Sequence, residues 1–416
     1  MTKQVFEGLH VADFTWAGVG PQVGRELAEH GATVIRVETH RRLDLMRSAP
    51  PFKDNIPGFN RSAYFAEYNA NKYGISLNLV NPGAREVVRR LISWADVMGE
   101  SMAPGAMAKL GLDYESCRKI NPRIIYFSTC MLGQYGPYRA FSGVGTHINA
   151  IGGFCAITGW PDSPPTYVQT AYSDFISPWY ILIALMGALL RRRKTGLGMY
   201  MEQAQLEAAL SFVGSHVLDY VINQDLLKRR GNRDRYMCPH GVYPCRGNDR
   251  WVAIAVTNDE DWQRLRQVMG DSEWAKNPRF DSVLGRKEKE DEVDRLIGEW
   301  TKGFTAEQAM AILQGTGIAA GVVQTGQDLL SDPHLKQREH FRILNHPVIG
   351  PQSYHAPAYR LSQTPCALTR PAPCVGEHNL YVYKEILGFS EDEIADMLVN
   401  GVVTTDEDAP ATVASQ

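Results

Sequence analysis

Val11-Ala12-Asp13-Phe14-Thr15, Gly18-Val19-Gly20-Pro21 and Ala32-Thr33-Val34-Ile35-Arg36-Val37-Glu38 read as a strand, a tight turn and a second strand, with a helical run to His30 between them. Pro21 suits a first helical position, where its missing N–H is not needed. A strand, helix and strand in this order make a βαβ unit, and such units imply a parallel sheet in an α/β fold. Farther on the alternation continues. The spacing predicts a helix over 83–94, a strand over 95–98 and a strand over 124–128. A loop falls at Gly133-Gln134-Tyr135-Gly136-Pro137, where glycine and proline punctuate the pattern.

From Pro178 to Leu190 apolar residues run almost all round, which predicts a helix buried on every side. Its basic end, Arg191 to Lys194, complements the helix dipole, and Gly196 and Gly198 terminate it. Near Leu226 the composition turns basic and polar, marking passage into a second lobe with a strand over 251–256, a helix after Asn258 and a charged helix over 285–300. The organisation expected is 1–225 as a large domain, 226–325 as a small α+β domain, and 326–416 as a return to the large domain, with a helix over 391–399 and a disordered polar tail.

The chain has 416 residues, 44% of them hydrophobic, with 43 Lys+Arg against 46 Asp+Glu and a net charge of −3. That balance offers no field for a nucleic-acid backbone. No window reaches the roughly 18 uninterrupted apolar residues of a spanning helix, and the N-terminus shows no signal-peptide pattern. The expectation is therefore a cytoplasmic protein with no membrane partner. Seven cysteines without a C-x-x-C pair read as reduced, packed thiols. No histidine falls in a metal-ligand spacing, so no metal is expected. Hydrolase-elbow and P-loop motifs are absent from the sequence.

Two features are candidates for chemistry. Gly18 to Gly24 with Glu38 loosely mimics a dinucleotide fingerprint, but its last glycine is one residue late and Pro21 removes a phosphate donor. The competing reading is a plain βα turn. Asp174, immediately before the long apolar helix, is either a helix cap or a carboxylate nucleophile toward an acyl group, kept from water by the helix behind it.

Taken in order, several segments resemble the family III CoA-transferases, the group that includes formyl-CoA transferase and carnitine CoA-transferase. They are the 11–21 and 31–38 stretches, Asn69-Ala70-Asn71-Lys72, Ala95-Asp96-Val97, Pro104-Gly105 with Leu110-Gly111-Leu112, Asn121-Pro122-Arg123-Ile124-Ile125, 133–138, Thr195-Gly196-Leu197-Gly198 and Gly376-Glu377-His378. The resemblance implies a Rossmann-like large domain built from both chain ends, a smaller middle domain, and ring-like protomers interlocked as a dimer. It implies Asp174 as the attacking carboxylate. CoA would enter as a thioester substrate, with no tightly bound cofactor. Val19, Leu77, Met102, Lys109 and Leu110 would lie along the CoA channel, with His40 and Arg41 assisting at its phosphates.

There are departures. Gly145 stands where formyl-CoA transferase has an assisting glutamate, and Gly18 where it has a glutamine. The tetraglycine lid is replaced by Arg230-Gly231-Asn232-Arg233-Asp234-Arg235. The proton-moving histidine and aspartate of the related racemases fall on Leu132 and Gly145, which speaks against racemization. Among family members, Ile157 to Pro165, Ala171 to Ile176 and His240 to Cys245 look most like subunits of succinyl-CoA:benzylsuccinate CoA-transferase, where two related subunits pair. A sister subunit is thus an expected partner. The acceptor's carboxylates call for a cation, with Arg47, Arg139 and the Arg229 to Arg235 stretch as candidates. The alternatives are a non-catalytic CoA-binding subunit and an NAD-dependent oxidoreductase.

Overall fold

In the computed structural model, which describes residues 3–270 and 272–405, the opening segment folds as β1 (His10–Phe14), the helix Val19–Glu29 and β2 (Thr33–Glu38). Four more strands join them: β3 (Tyr73–Ser76), β4 (Val97–Glu100), β5 (Ile125–Cys130) and β6 (Met199–Ala204). All pairs are parallel, in the order β3-β2-β1-β4-β5-β6. The order reverses between β1 and β4, and at such a switch point the loops leaving the two strands diverge and open a crevice. The fold is α/β, as the βαβ pattern requires.

Alternation along each strand assigns its residues to two faces. Val11, Val34, Val97 and Ile125 pack with Val23 and Leu27 of the helix Val19–Glu29 and with Ile181 and Leu185 of the helix Tyr172–Thr195. Ala12, Phe14, Ile35 and Met98 pack on the opposite face with Val87 and Leu91, and with Val382, Tyr383 and Val403 from the far end of the chain. That end is tied to β3: the Asn78 N–H donates to the Val402 carbonyl at 2.8 Å, and the Tyr383 hydroxyl donates to the Ser76 carbonyl at 3.1 Å. The helix Glu391–Val399 opens on a Ser390/Glu393 capping box. The expected polar tail, 406–416, lies outside the described residues.

The chain divides into two compact units. One comprises residues up to Phe154, Tyr167–Asp225 and Lys336 onward; the other comprises Cys155–Thr166 and Leu226–Leu335. The excursion at 155–166 carries Pro161, Pro164 and Pro165, a local signal that the sequence reading did not take as a boundary. In the second unit β7 (His240–Pro244), β8 (Trp251–Ala255) and β9 (Ala319–Val322) form an antiparallel sheet. Its core gathers Val252 and Ile254 with Trp262, Phe280 and Ile297. The charged helix expected over 285–300 is broken at Lys289, whose φ of −122° and ψ of 31° leave the helical region. All seven cysteines are free.

The helix Tyr172–Thr195 corrects one expectation. It is long and apolar enough to span a membrane by length and composition, yet it lays Ile181, Leu185 and Ala188 against the sheet. It is not buried on all sides, because Trp179, Tyr180, Ile183 and Leu190 are exposed. Sequence periodicity reports apolar faces, not what covers them.

Candidate active site

At the β1/β4 crevice a cavity of about 580 Å³ opens. Its walls come from the β1 loop (Trp16 to Val19), the segment after β2 (Arg42 to Ser48), Ser101 and Ala103 after β4, the loop after β5 (Cys130 to Gly145), and Asp174. The two sides are stapled where β1 and β4 end: the Trp16 N–H donates to Ser101 Oγ at 2.7 Å, and Ser101 Oγ–H donates back to the Trp16 carbonyl at 3.2 Å.

A buried charge lattice holds the loops beneath. Asp44 pairs with Arg36 and accepts the N–H groups of Met46 at 2.9 Å and Ala17 at 3.2 Å. Ala17 has a φ of +61°, a conformation uncommon for a residue with a Cβ, and the Asp44 carboxylate braces it. Lys72 donates to Asp13 at 2.8 Å, to the Pro21 carbonyl at 2.8 Å and to Asn69 at 2.9 Å, fixing the start of the helix Val19–Glu29. The sequence gives no spacing from which this lattice could be read, since its partners lie up to 59 residues apart.

Asp174 sits in the first turn of the helix Tyr172–Thr195, not before it, and Ala171 is the N-cap position. Capping is therefore not its role. Gly18 and Gly145 frame its carboxylate: a Cβ at 18 would stand 2.9 Å from Oδ2, and one at 145 would overlap Oδ1. The space an assisting glutamate at 145 would need is filled by the Asp174 carboxylate itself. Burial pushes the Asp174 carboxyl up to about 6, against a weak opposing hydrogen bond from the Ser173 hydroxyl at 3.4 Å. The backbone is held too. Pro178 lacks the N–H that would bond the Asp174 carbonyl one turn back, and Gln22 Nε2 donates to that carbonyl instead, at 3.0 Å.

Of the residues assigned to CoA, Val19 lines this cavity with Asp174. His40, Arg41, Leu77, Met102, Lys109 and Leu110 are not in its wall, although their neighbours Arg42, Ser101 and Ala103 are. Leu77 is fully buried in the core and bridged to Val403. Lys109 ends the short helix Ala106–Lys109, and Leu110 follows it; both are exposed. The adjacent Gly105, Met107 and Ala108 line a second cavity of about 320 Å³, with Tyr114, Tyr126 and Tyr200. His40 is half-buried and Arg41 is exposed on the segment after β2.

Three sequence readings are corrected. Arg47 is buried and consumed by Glu38 at 2.7 Å and by the Phe59 and Pro373 carbonyls at 3.1 and 3.0 Å, so it cannot meet a substrate carboxylate. Glu38 is consumed with it, and Arg47 and Arg36 outweigh its burial to hold its carboxyl down at about 2. The acidic ribose anchor of a dinucleotide site is thereby gone. The glycines of the supposed fingerprint serve packing: a Cβ at 20 would strike the Thr15 side chain, and one at 24 would lie 2.9 Å from Asp13 Oδ2. Within the second unit Arg229 donates to the Ser163 and Ala156 carbonyls and Arg233 pairs with Asp291 and Asp294. Arg139 does line the cavity, joined by Arg42, which the sequence reading missed. Arg42 directly follows the His40–Arg41 pair, the signal that could have found it, and its guanidinium stands 5.1 Å from the Trp16 ring centre. No cluster of potential metal ligands occurs among the described residues.

The family description CoA-transferase family III matches residues 6–379. Succinyl-CoA–D-citramalate CoA-transferase of Chloroflexus aurantiacus is 31% identical over 92% of this chain and 94% of its own length. Succinate–glutarate CoA-transferase of Agrobacterium fabrum is 30% identical over 92% and 96%. The crystal structure of a CAIB/BAIF family protein from Brucella suis superposes with a TM-score of 0.84 at 30% identity, covering 92% of this chain and 99% of that one.

Proposed function

This chain belongs to CoA-transferase family III, and from that premise we propose that it moves CoA from a dicarboxylic acyl-CoA, succinyl-CoA foremost, to a carboxylic acid through covalent intermediates on Asp174. The observation that carries this reading is the Asp174 carboxylate, framed by Gly18 and Gly145 in the cavity at the sheet's switch point. The names of the relatives, two of which use succinyl-CoA or succinate, support the donor. The subgroup resemblance puts benzylsuccinate among the acceptors, and the aromatic and aliphatic wall of Trp16, Leu132 and Phe141 suits a substituted acid.

The chemistry balances without water. An Asp174 oxygen attacks the thioester carbonyl, the C–S bond breaks, and CoA leaves as thiolate from an aspartyl acyl anhydride. The thiolate then attacks the Asp174 carbonyl, releasing the donor acid as a carboxylate and leaving an aspartyl-CoA thioester. The acceptor carboxylate attacks that thioester, again expelling thiolate, which takes the acceptor's acyl group and frees Asp174. Each intermediate is lost if water reaches it, so an apolar wall serves the reaction. Val19 lines the same cavity as Asp174, and we place the nucleotide end of CoA toward His40 and Arg41 and the Met102 to Leu110 segment.

We also propose that the working enzyme is a dimer, of two copies or with a sister chain. The helix Gly214–Asn223 buries none of its residues within this chain, and it exposes Val217, Leu218, Tyr220, Val221 and Ile222. Apolar surface on that scale marks an interface.

Peptide mass spectrometry after incubation with succinyl-CoA, with hydroxylamine or borohydride trapping, tests the mechanism. The expected result is an acyl or CoA adduct on the Asp174 peptide, absent in Asp174→Ala. An unmodified peptide, with the chain alone and with any co-purified partner, overturns it.

A further inference from the structure

Among the described residues, Arg42, Arg139 and Asp174 are the only charged side chains in the cavity wall. Three further cations near the sheet's switch point are already spent: Arg36, Arg47 and Lys72 are buried in ion pairs with Asp44, Glu38 and Asp13. Arg42 lies over the Trp16 ring, on the segment after β2. The Arg139 guanidinium has no hydrogen-bond or ion-pair partner among the described residues, and its loop runs directly to Gly145, the residue against the Asp174 carboxylate. The loop is anchored at both ends. Gln134 donates from its backbone to Glu202 at 2.6 Å and from its side chain to Ser128 at 2.8 Å, and the Val144 N–H meets His147 Nδ1 at 3.2 Å. A cation presented by an anchored loop loses less freedom on binding than one on a free loop.

We propose that Arg139 forms the subsite for the remote carboxylate of a dicarboxylic substrate, the end that does not react with Asp174. This rests on the covalent reading of Asp174 above, and the charge arithmetic follows from it. In the free enzyme the wall carries two guanidinium groups and one carboxylate. Once Asp174 is acylated or thioesterified its charge is gone, and two cations face an incoming dianion. One acceptor carboxylate attacks the Asp174 carbonyl, and the planar fork of Arg139 takes the other through paired N–H donors. A monocarboxylic acid would leave that fork solvated and gain nothing from it. Arg139 is thus a specificity-determining residue and not a catalytic one. It selects acids by their second charge.

The test loads Asp174 with CoA from butyryl-CoA, a donor with no remote carboxylate, and follows discharge of the Asp174 adduct by succinate and by butyrate using mass spectrometry. Wild type is expected to discharge faster with succinate. Arg139→Gln, on an exposed loop, should lose about 10- to 100-fold of kcat/KM for succinate, hold its rate with butyrate, and load with CoA as before. Arg139→Lys, which keeps the charge without the fork, should fall between. A succinate-to-butyrate ratio unchanged in Arg139→Gln, or lost only in Arg42→Gln, overturns the subsite while leaving the covalent reading intact. Failure of wild type to load from either butyryl-CoA or succinyl-CoA overturns the covalent reading and the subsite together.

Discussion

Asp174 is a carboxylate asked to be charged in a place that disfavours charge, and the conflict has two measurable signs. Attack requires the ionised form, and burial places the midpoint at about 6. The first acyl transfer should therefore be flat above about pH 7 and fall about tenfold per unit well below the midpoint. Rapid-quench measurement of single-turnover thioester consumption from pH 4.5 to 8 reads it, and an inflection in the ordinary aspartate range would mean that the reactive carboxylate is solvated. Stability carries the opposite sign. A carboxyl whose pKa is raised on folding holds its proton more tightly in the folded state, so stability falls as pH rises from the unfolded value through about 6. Asp174→Asn removes that loss: it should raise Tm at pH 8 and leave it nearly unchanged at pH 2.5, where Asp174 is almost wholly protonated in both states. Differential scanning calorimetry at the two pH values decides.

A proline in the second turn of the helix Tyr172–Thr195 is what couples two elements. Pro178 cannot donate to the Asp174 carbonyl, and Gln22, 152 residues away in sequence, fills the gap while also donating to the Gly18 carbonyl at 3.1 Å. In the mechanism proposed for Asp174, Gln22 is a positioning residue. Gln22→Ala leaves a carbonyl short of a partner, at about 1–3 kcal/mol if it stays dry, and frees the turn that aims the carboxylate. Its kcat should drop about tenfold with KM for the acyl-CoA little changed; a fall in Tm with kcat intact would make Gln22 structural only. Nothing in the sequence pairs these two positions. What was legible is local: apolar patterning gave β1, β2, β4 and β5 to within a few residues and placed the helix Glu391–Val399, and glycine and proline signals gave the starts of the helices Val19–Glu29 and Ala84–Trp94 to within two residues. β3, with four residues and a glycine among them, and β6, Met199–Ala204, lack the alternating run that would announce a strand. They form because neighbouring strands offer them hydrogen bonds. The same limit applies at the site. Asp174, Val19 and Arg139 were found by motif, resemblance or chemical need, whereas the fates of Arg47 and Glu38 depended on each other and surfaced only when the chain was folded.

At the scale of the whole molecule, surface that a sequence reading assigns to the interior lies open. Ile183 is 72% exposed and Ile222 is 74% exposed, on helices whose composition suits a core. An isolated ten-residue helix is marginal in water without packing to hold it, and Gly214–Asn223 has no residue buried in this chain. Leaving five large apolar side chains in water forgoes roughly 1.5–3 kcal/mol for each that a partner would fully bury. That is enough to drive association, and it explains why the helix keeps an apolar face. Charge placed there should undo it. Ile222→Asp and Val221→Asp together should convert the proposed dimer to single chains by light scattering coupled to gel filtration, and lower the helical signal as Gly214–Asn223 loses its cover. Arg193→Asp, a charge change at another exposed helix position, should leave the mass unchanged. A double variant that still runs as a dimer would place the interface elsewhere, and a wild type that runs as a single chain would mean that the cover for Gly214–Asn223 is a different chain, the sister subunit.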